Sequence, residues 1–194
     1  MTRLVVIGPS GSGKTCLSAR LAELVHARHV EIDALWHGPN WESCGPEELH
    51  RRVSAATEDD DWISDGTYHS IIGEIVLERA ETVAWLDLPV GLVMWRLVRR
   101  SWVRKRDDVV LWHGNREERW INQIRWLFWP AFKRAFENRR DLPARLARHP
   151  QLEVHRLRSD ADVEAFVQSI QPMESMSGSS NGSERQKTPP LAET

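Results

Sequence analysis

Residues 4–15 read LVVIGPSGSGKT, a short apolar run followed at once by a glycine-rich turn. Four residues separate Gly8 from Gly13-Lys14-Thr15, which is the spacing of a phosphate-binding loop. The glycines let successive backbone N–H groups converge on phosphate oxygens. The lysine ammonium reaches the β- and γ-phosphates, and the threonine hydroxyl can ligate Mg²⁺. The stretch therefore predicts a strand that feeds a phosphate-binding loop.

A helix is expected directly after this loop, over residues 13–25. The positive end of its dipole then points at the same anion site and strengthens it. A nucleoside triphosphate with its magnesium ion is the ligand that such a site takes. The expected nucleotide-binding residues are Gly8, Pro9, Ser10, Gly11, Ser12, Gly13, Lys14, Thr15 and Cys16.

Composition limits the classes of protein that fit this chain. The 194 residues are 41% hydrophobic and 28% charged, as expected for one soluble domain with a full-sized core. The net charge of -2 argues against a general polyanion binder, although residues 96–140 hold thirteen Lys or Arg and only five Asp or Glu. Cys16 and Cys44 form neither a metal motif nor a disulfide framework, so we expect a cytoplasmic protein. Because no long apolar stretch is present, we expect neither secretion nor a membrane span.

Strand-like and helix-like segments alternate along the rest of the chain. The strand candidates are residues 4–7, 29–32, 62–64, 82–88 and 152–157. The helix candidates are residues 13–25, 46–58, 70–79, 90–106, 117–138 with a bend at Pro130, and 160–170. Five strands with helical crossovers predict a three-layer α/β fold, in which helices cover both faces of a five-stranded parallel sheet. Residues 1–171 form this domain, and the Ser-, Gly- and Pro-rich residues 172–194 are expected to be a disordered tail.

Three aspartates stand at or near the ends of the predicted strands. In an open parallel sheet, ligands bind at the carboxyl ends of the strands, where the phosphate-binding loop also lies. Asp65 follows the apolar third strand and is expected to hold Mg²⁺ directly or through water, although it could instead cap the next helix. Asp33 could orient a substrate hydroxyl or accept its proton, or could be a turn residue. For Asp87, inside the fourth strand, a structural role is favoured.

Beyond the loop, several short motifs resemble one branch of the nucleoside-monophosphate-kinase family. They are Asp33-Ala-Leu-Trp36-x-x-Pro39-x-Trp41, Trp62-Ile-Ser-Asp65-Gly66, Trp85-Leu-Asp87-Leu-Pro89 and Gly114-Asn115-Arg116-Glu117. That branch is adenylate-kinase-like and includes proteins called DNA topology modulation protein. The resemblance covers roughly residues 1–170 and implies a P-loop kinase fold with an arginine-rich helical lid.

The resemblance also implies that the helix after Pro89 carries arginines that face the nucleotide. Arg96 would stack near the adenine, and Arg100 would contact phosphates. Arg96, Arg100 and Arg104 recur every four residues, so they share one helical face. The same arginines could instead form an ordinary solvated face of the helix.

A lid is expected over residues 105–120. Arg116 and Arg119 follow its flexible part and would close over the transferred phosphoryl group, neutralising the charge that develops there. Together with the loop and the strand ends, this gives two sets of expected site residues. The catalytic set is Lys14, Asp33, Asp65, Arg100 and Arg116, and the metal-binding set is Thr15 and Asp65.

The chain departs from adenylate kinases on the acceptor side. Those enzymes follow the Asp-Gly of the third strand with an arginine that grips the acceptor phosphate, whereas Gly66 is followed here by Thr67-Tyr68-His69. This difference argues against a nucleoside monophosphate as the acceptor. Aromatic residues instead indicate a pocket for a base or a flat apolar group, although they could be ordinary packing residues. The expected acceptor-side residues are Asp33, Trp36, Trp41, Gly66 and Tyr68.

Two functions from different classes fit these features. The favoured one is an ATP-dependent kinase for a small-molecule acceptor, a nucleotide or a metabolite, acting as a monomer or homodimer. ATP is favoured over GTP because no Asn-Lys-x-Asp run is present. The alternative is a nucleotide-regulated DNA-interacting protein, in which residues 96–140 contact phosphates and interleaved tryptophans stack on bases. The same tryptophans could instead form the core of a helical lid. Those tryptophans are Trp102, Trp112, Trp120, Trp126 and Trp129.

Overall fold

The computed structural model describes residues 2–115 and 139–170 and places a five-stranded sheet at the centre of the chain. The strands are β1 (Thr2–Ile7), β2 (Arg28–Glu31), β3 (Asp61–Asp65), β4 (Thr82–Leu86) and β5 (Glu153–Leu157). They lie in the order β2-β3-β1-β4-β5, and every neighbouring pair is parallel. The predicted five-stranded parallel sheet is therefore confirmed.

Helices follow each strand and cover the sheet. They are α1 (Lys14–Leu24), α2 (Ile32–Trp36), α3 (Pro46–Ala56), α4 (His69–Ile72), α5 (Ile75–Arg79), α6 (Val90–Arg106), α7 (residues 139–146) and α8 (Asp160–Ile170). Single turns of 3₁₀ helix occupy Pro39–Trp41 and Trp112–Gly114. Over residues 2–115 and 139–170, none of the helices combines the length and the apolar character needed to cross a membrane.

Two hydrophobic layers hold these helices against the sheet. Successive side chains of a strand point to opposite faces, and in β1 Val5 faces one layer while Leu4 and Val6 face the other. The first layer joins the sheet to α3, α4, α5 and α7, and the second joins it to α1 and α8. Because both faces are covered, the central strands read as continuous apolar runs rather than as alternating ones.

The structure differs from the predicted elements in places that have local causes. The sequence does not predict α2, which is only five residues long and carries too little periodicity to be recognised. The helix predicted over residues 70–79 is interrupted at Gly73, whose φ of 70° cannot continue a right-handed helix. The helix predicted over residues 117–138 and the tail predicted over 172–194 lie outside the described residues.

One edge of the sheet collects the ends of three neighbouring strands. Glu31 at the end of β2 pairs with Asp65 at the end of β3, and Asp65 pairs with Val6 of β1. The segments that leave these strands therefore start side by side. They are the phosphate-binding loop after β1, α2 after β2, and the turn at Gly66 after β3.

Candidate active site

The phosphate-binding loop occupies residues 8–13, between β1 and α1. Its turn is closed by the Ser12 amide, which donates to the Pro9 carbonyl at 3.1 Å. Gly11 has a φ of 87°, and a Cβ there would lie 2.7 Å from the Val93 carbonyl oxygen of α6. Glycine is required because it has no Cβ and adopts this left-handed conformation freely. The loop can therefore pack directly against α6.

Lys14 and Thr15 open α1 at the end of the loop. The Lys14 ammonium donates to the Pro9 carbonyl at 3.3 Å, so it lies across the loop. The Thr15 hydroxyl donates to the Asp65 carboxylate at the end of β3. The first amides of a helix have no partner within the helix and are available to an anion. A lysine, a hydroxyl and a carboxylate thus meet at the N-terminus of α1.

Asp65 is a buried carboxylate, with 5% of its surface exposed. Burial raises its pKa and the nearby Asp33 raises it further, while Lys14 and the Thr15 hydroxyl lower it. Its Oδ1 atom has no hydrogen-bond partner among the described residues. Because a buried charged oxygen without a partner is unfavourable, this atom is suited to binding a cation.

Magnesium is the ion that this set of oxygen atoms fits. Mg²⁺ prefers hard oxygen ligands and is usually bound by one or two protein groups together with waters and substrate phosphates. Asp65 and Thr15 supply oxygens of this kind. In residues 2–115 and 139–170, no group of three or more His, Cys, Asp or Glu side chains could hold a metal ion. The remaining ligands of a magnesium ion here would therefore be water and nucleotide oxygens.

Asp33 lies in α2, two residues beyond the end of β2. Its carboxylate accepts a hydrogen bond from the Tyr68 hydroxyl. The ring of Tyr68 lies 6.2 Å from the ring of Trp36, centroid to centroid. A carboxylate has about four lone-pair positions, so Asp33 keeps acceptor capacity for a ligand. The side chain can therefore orient an incoming hydroxyl group.

A cavity of about 640 Å³ opens between the phosphate-binding loop, α2, the segment after β3 and α7. Its volume lies within the range of small-molecule sites. The structure brings nine of the expected site residues to this one opening. Those that line it are Gly8, Pro9, Ser10, Lys14, Asp33, Trp36, Asp65, Gly66 and Tyr68.

Two of the predicted arginines lie on α6, away from the cavity lining. Arg96 donates to both carboxylate oxygens of Asp160, at 2.8 and 2.7 Å, and so ties α6 to α8. Arg100 is exposed one turn further along the same helix. Arg116 and Arg119 lie outside the described residues.

Other expected site residues do not line the cavity. Gly11, Ser12 and Gly13 belong to the loop, and the Thr15 hydroxyl contacts Asp65, which does line the cavity. Cys16 is exposed on α1. The remaining expected residue of this group is Trp41, which does not line the cavity.

Trp41 belongs to an aromatic cluster beside α2. Its ring meets the ring of Trp112 edge-on, with the centroids 6.4 Å apart and an interplanar angle of 89°. Trp112 also stacks on His37 at 6.2 Å and 14°. The Asn115 side chain donates to a backbone carbonyl of the turn after α2 at 2.8 Å. These contacts fasten residues 111–115, within the predicted lid, to the acceptor side of the site.

Sequence reasoning does not identify Arg145, Thr67 and His69 as site residues, yet all three line the cavity. Arg145 donates to the Thr67 hydroxyl at 3.2 Å and to Glu74 at 3.0 Å. Partial desolvation, and after it the charge of Arg145, lower the pKa of His69. No spacing in the sequence connects residue 145 with residues 67 and 69, so only the fold shows that they meet.

Asp87 is buried and makes two ion pairs away from the cavity. It accepts from Arg139 Nε at 2.5 Å and from Arg156 Nη2 at 2.7 Å. Arg139 lies in α7 and Arg156 in β5, so the carboxylate, directly after β4, links the end of that strand to both elements. The arrangement agrees with the structural role expected for this residue.

Comparisons with known proteins give likenesses of fold. No family model matches the chain, and no curated protein matches it. A shikimate kinase from Bacteroides thetaiotaomicron is 15% identical, with a TM-score of 0.49 over 88% of this chain and 96% of that chain. A gluconokinase from Sinorhizobium meliloti is 13% identical, with a TM-score of 0.47 over 88% of this chain and 93% of that chain. Deoxyadenosine kinase from M. mycoides is 12% identical, with a TM-score of 0.45 over 86% of this chain and 97% of that chain.

The parallel sheet and the phosphate-binding loop between β1 and α1 themselves give the chain an α/β fold of the P-loop type. The narrower resemblance, to the branch that includes DNA topology modulation proteins, stays a prediction from the sequence.

Proposed function

We propose that the chain is a kinase that transfers the γ-phosphoryl group of ATP·Mg to a small-molecule acceptor. The observation that carries the proposal is the shared cavity, which Lys14 lines together with Asp33 and Tyr68. An enzyme that only hydrolyses ATP needs room for a water molecule beside the γ-phosphate, whereas a kinase needs a second pocket. The cavity supplies that second pocket.

On the nucleotide side, the backbone amides of residues 8–13 and the Lys14 ammonium bind the phosphates. The N-terminus of α1, an eleven-residue helix, adds its positive dipole to the same place. Thr15 and Asp65 would hold Mg²⁺, which offsets negative charge on the phosphate oxygens when it is bound. These groups together reduce the repulsion that an approaching acceptor oxygen meets.

On the acceptor side, Asp33 accepts a hydrogen bond from the acceptor hydroxyl and turns its oxygen toward the γ-phosphorus. The new O–P bond forms as the bond from the γ-phosphorus to the β,γ-bridging oxygen breaks, and the hydroxyl proton passes to the Asp33 carboxylate. ADP leaves with the bridging oxygen. Tyr68 and Trp36 hold Asp33 and the acceptor in place, as their contacts in the structure support.

The arginine-rich lid completes the proposed site. In this proposal, Arg100 and Arg116 act on the charge that develops on the transferred group, and residues 111–115 give the lid a fixed base on the acceptor side. The contacts of Trp112 and Asn115 support such a base.

The test compares Lys14→Ala with Arg148→Ala, which removes one positive charge from an exposed side chain outside the cavity lining. We expect ATP·Mg binding, measured by calorimetry, to weaken at least tenfold in Lys14→Ala and to change less than twofold in Arg148→Ala. We also expect the wild type to release ADP faster when pools of small hydroxylated metabolites are added. Equal ATP binding by wild type and a folded Lys14→Ala protein would contradict nucleotide binding at this loop. ADP release that no acceptor pool accelerates would indicate a hydrolase instead.

A further inference from the structure

Arg145 is a cation built into the wall of the cavity. Its side chain is only 10% exposed, and it lies on α7 behind the turn that follows β3. Nε donates to Glu74 Oε2 at 3.0 Å, and Nη2 donates to Thr67 Oγ1 at 3.2 Å. These two bonds hold the guanidinium plane in one orientation. Within the described part of the chain, its Nη1 group donates to no protein acceptor while the side chain lines the cavity.

Glu74 does not neutralise the surroundings of Arg145. The same carboxylate lies 3.8 Å from Arg148 Nη2 and 3.7 Å from His149 Nε2. One negative charge is therefore shared between two guanidinium groups. A positive charge remains at this end of the cavity.

Other titratable groups of the cavity wall do not remove that charge. Asp141 lines the cavity, but its carboxylate is paired with Arg140 at 2.7 Å and is 58% exposed to solvent. His69 also lines the cavity, and the lowered pKa of this residue follows in part from the charge of Arg145. Because Arg145 itself lines the cavity, its charge faces the space that a ligand would fill.

We propose that Arg145 binds an oxyanion of the acceptor, a carboxylate or a phosphate, so that the substrate is a small hydroxylated anion. The inference rests on the proposed kinase function, because it names the acceptor class of the same cavity. Asp33 and Arg145 carry opposite charges in one cavity, which orients such a molecule with its hydroxyl at Asp33 and its oxyanion at Arg145. The fixed guanidinium fork matches the paired oxygens of both kinds of oxyanion.

The test titrates three probes, D-glycerate, orthophosphate and glycerol, into the protein by calorimetry. Each titration is done on the free protein and on the protein saturated with β,γ-imido-ATP·Mg, which fills the phosphate-binding loop. We expect at least one of the two anions to bind saturably and to bind Arg145→Gln at least tenfold more weakly. The anion that shows the larger dependence on Arg145 identifies the carboxylate or the phosphate as the natural group. Glycerol, which is neutral, should show no dependence on Arg145.

Arg148→Gln is the matched control. It makes the same change of charge beside the same Glu74, but its side chain is 67% exposed and does not line the cavity. We expect anion binding to change less than twofold in this variant. Equal weakening in both variants would show a general effect of charge and would overturn the proposal, as would the absence of saturable anion binding to the wild type.

Folding and nucleotide binding are controlled separately. If Arg145→Gln does not fold, Arg145→Lys is used in its place. We expect at least threefold weaker anion binding by this variant, because one ammonium group cannot bond to Thr67 and Glu74 and also pair with two oxygens of the anion. Anion binding by Arg145→Lys equal to that of the wild type would overturn the proposal. Failure of β,γ-imido-ATP to bind would count against the kinase function alone, because the dependence on Arg145 is still measured in the free protein.

Discussion

The indole Nε1 of Trp112 donates a hydrogen bond to Glu31 Oε2 at 2.9 Å, joining residues that are 81 positions apart in the chain. Glu31 is the last residue of β2, next to the element that carries Asp33. Trp112 lies in the 3₁₀ turn beyond α6. The bond therefore connects residues of the predicted lid to the end of β2, two residues before Asp33.

Replacing Trp112 with Phe should loosen this connection without unfolding the protein. Phenylalanine keeps an aromatic ring against His37 but has no N–H to donate, so we expect the free energy of unfolding to fall by about 1–2 kcal/mol. Amide hydrogen exchange at residues 111–115 should become faster than in the wild type. Chemical denaturation and exchange mass spectrometry measure the two effects.

Trp95→Phe is the control for this variant. Trp95 is 59% exposed on α6 and contacts Arg99 rather than the acceptor side. We expect its stability to stay within about 0.5 kcal/mol of the wild type. A loss in Trp95→Phe as large as that in Trp112→Phe would show that the bond to Glu31 contributes nothing specific.

Asp33 and Tyr68 should act on turnover rather than on nucleotide binding. Asp33→Asn keeps the size of the side chain but weakens it as an acceptor of the substrate proton, so we expect kcat to fall at least 100-fold. Tyr68→Phe removes only the hydroxyl that holds Asp33, and a smaller fall of about tenfold is expected. The dissociation constant of ATP·Mg should change less than threefold in both. Loss of ATP·Mg binding in Asp33→Asn would place this residue in the nucleotide site instead.

The sheet and the nucleotide side could be predicted because their signals are local in the sequence. The run LVVI followed by glycines specifies β1 and its loop within twelve residues, and Asp65 follows directly on an apolar strand. In a parallel sheet, such strand ends meet at one edge without further information. Thr15 and Asp65 are in contact in the structure, and each of them could be recognised from a short segment of sequence alone.

The partners of the arginines could not be predicted in the same way, because their contacts join distant segments. Arg145 and Thr67 are 78 residues apart, and Arg96 meets Asp160 across 64 residues. The arginine pattern of α6 identifies a shared helical face correctly, since α6 is continuous. The pattern does not show which residues the arginines contact, because their partners depend on how α8 packs against α6.

Asp65→Asn should raise the stability of the metal-free protein while weakening Mg²⁺-dependent nucleotide binding. The pKa of Asp65 is higher in the folded protein than its usual value, mainly because of burial. The folded state therefore binds this proton more tightly than the unfolded chain does, and the ionised carboxylate lowers stability at pH values above its ordinary pKa of about 3.9. This loss of stability is complete at pH values above the folded-state pKa of Asp65 and disappears as the pH falls below its unfolded-state pKa.

Thermal denaturation in EDTA at several pH values measures this effect. The melting temperature of Asp65→Asn should exceed that of the wild type at pH 8, and the difference should shrink as the pH is lowered. ATP binding in the presence of Mg²⁺ should weaken at least tenfold in the same variant. A melting temperature below that of the wild type at pH 8 would mean that the contacts of Asp65 outweigh its desolvation.

Asp87→Asn should be destabilising for structural reasons alone. The carboxylate is 7% exposed and holds Arg139 and Arg156, so its loss leaves two guanidinium groups without their charged partner. We expect a loss of about 1–3 kcal/mol in the free energy of unfolding. Asp160→Asn is the control, because that carboxylate is 65% exposed in its pair with Arg96 and should contribute less than about 1 kcal/mol. Similar losses in both variants would show that burial of Asp87 does not strengthen its ion pairs.

The last prediction separates a kinase from a nucleic-acid-binding protein. Arg99 lies over the ring of Trp95 and Arg106 over that of Trp102, on two tryptophans that are 59% and 51% exposed. Among the described residues, this face of α6 rather than Trp112 offers exposed rings on which bases could stack. Trp120, Trp126 and Trp129 lie outside the described residues. If the protein is a kinase, Arg100→Ala should lower phosphoryl transfer at least tenfold, and Trp102→Ala should leave it unchanged.

The two functions differ in how many phosphates the arginines must meet. A lid arginine acts on one γ-phosphate in a closed site, so its loss changes the rate, and the neighbouring Arg99→Ala should change transfer less than twofold. A polyanion is bound by many weak contacts, so affinity for single-stranded DNA would fall by roughly one log unit per log unit of salt for each phosphate contacted. Fluorescence anisotropy with a labelled oligonucleotide measures that slope. The nucleic-acid role would be favoured if the protein bound DNA with submicromolar affinity near physiological salt and phosphorylated no acceptor. In that case Trp102→Ala should weaken DNA binding by about 1–3 kcal/mol.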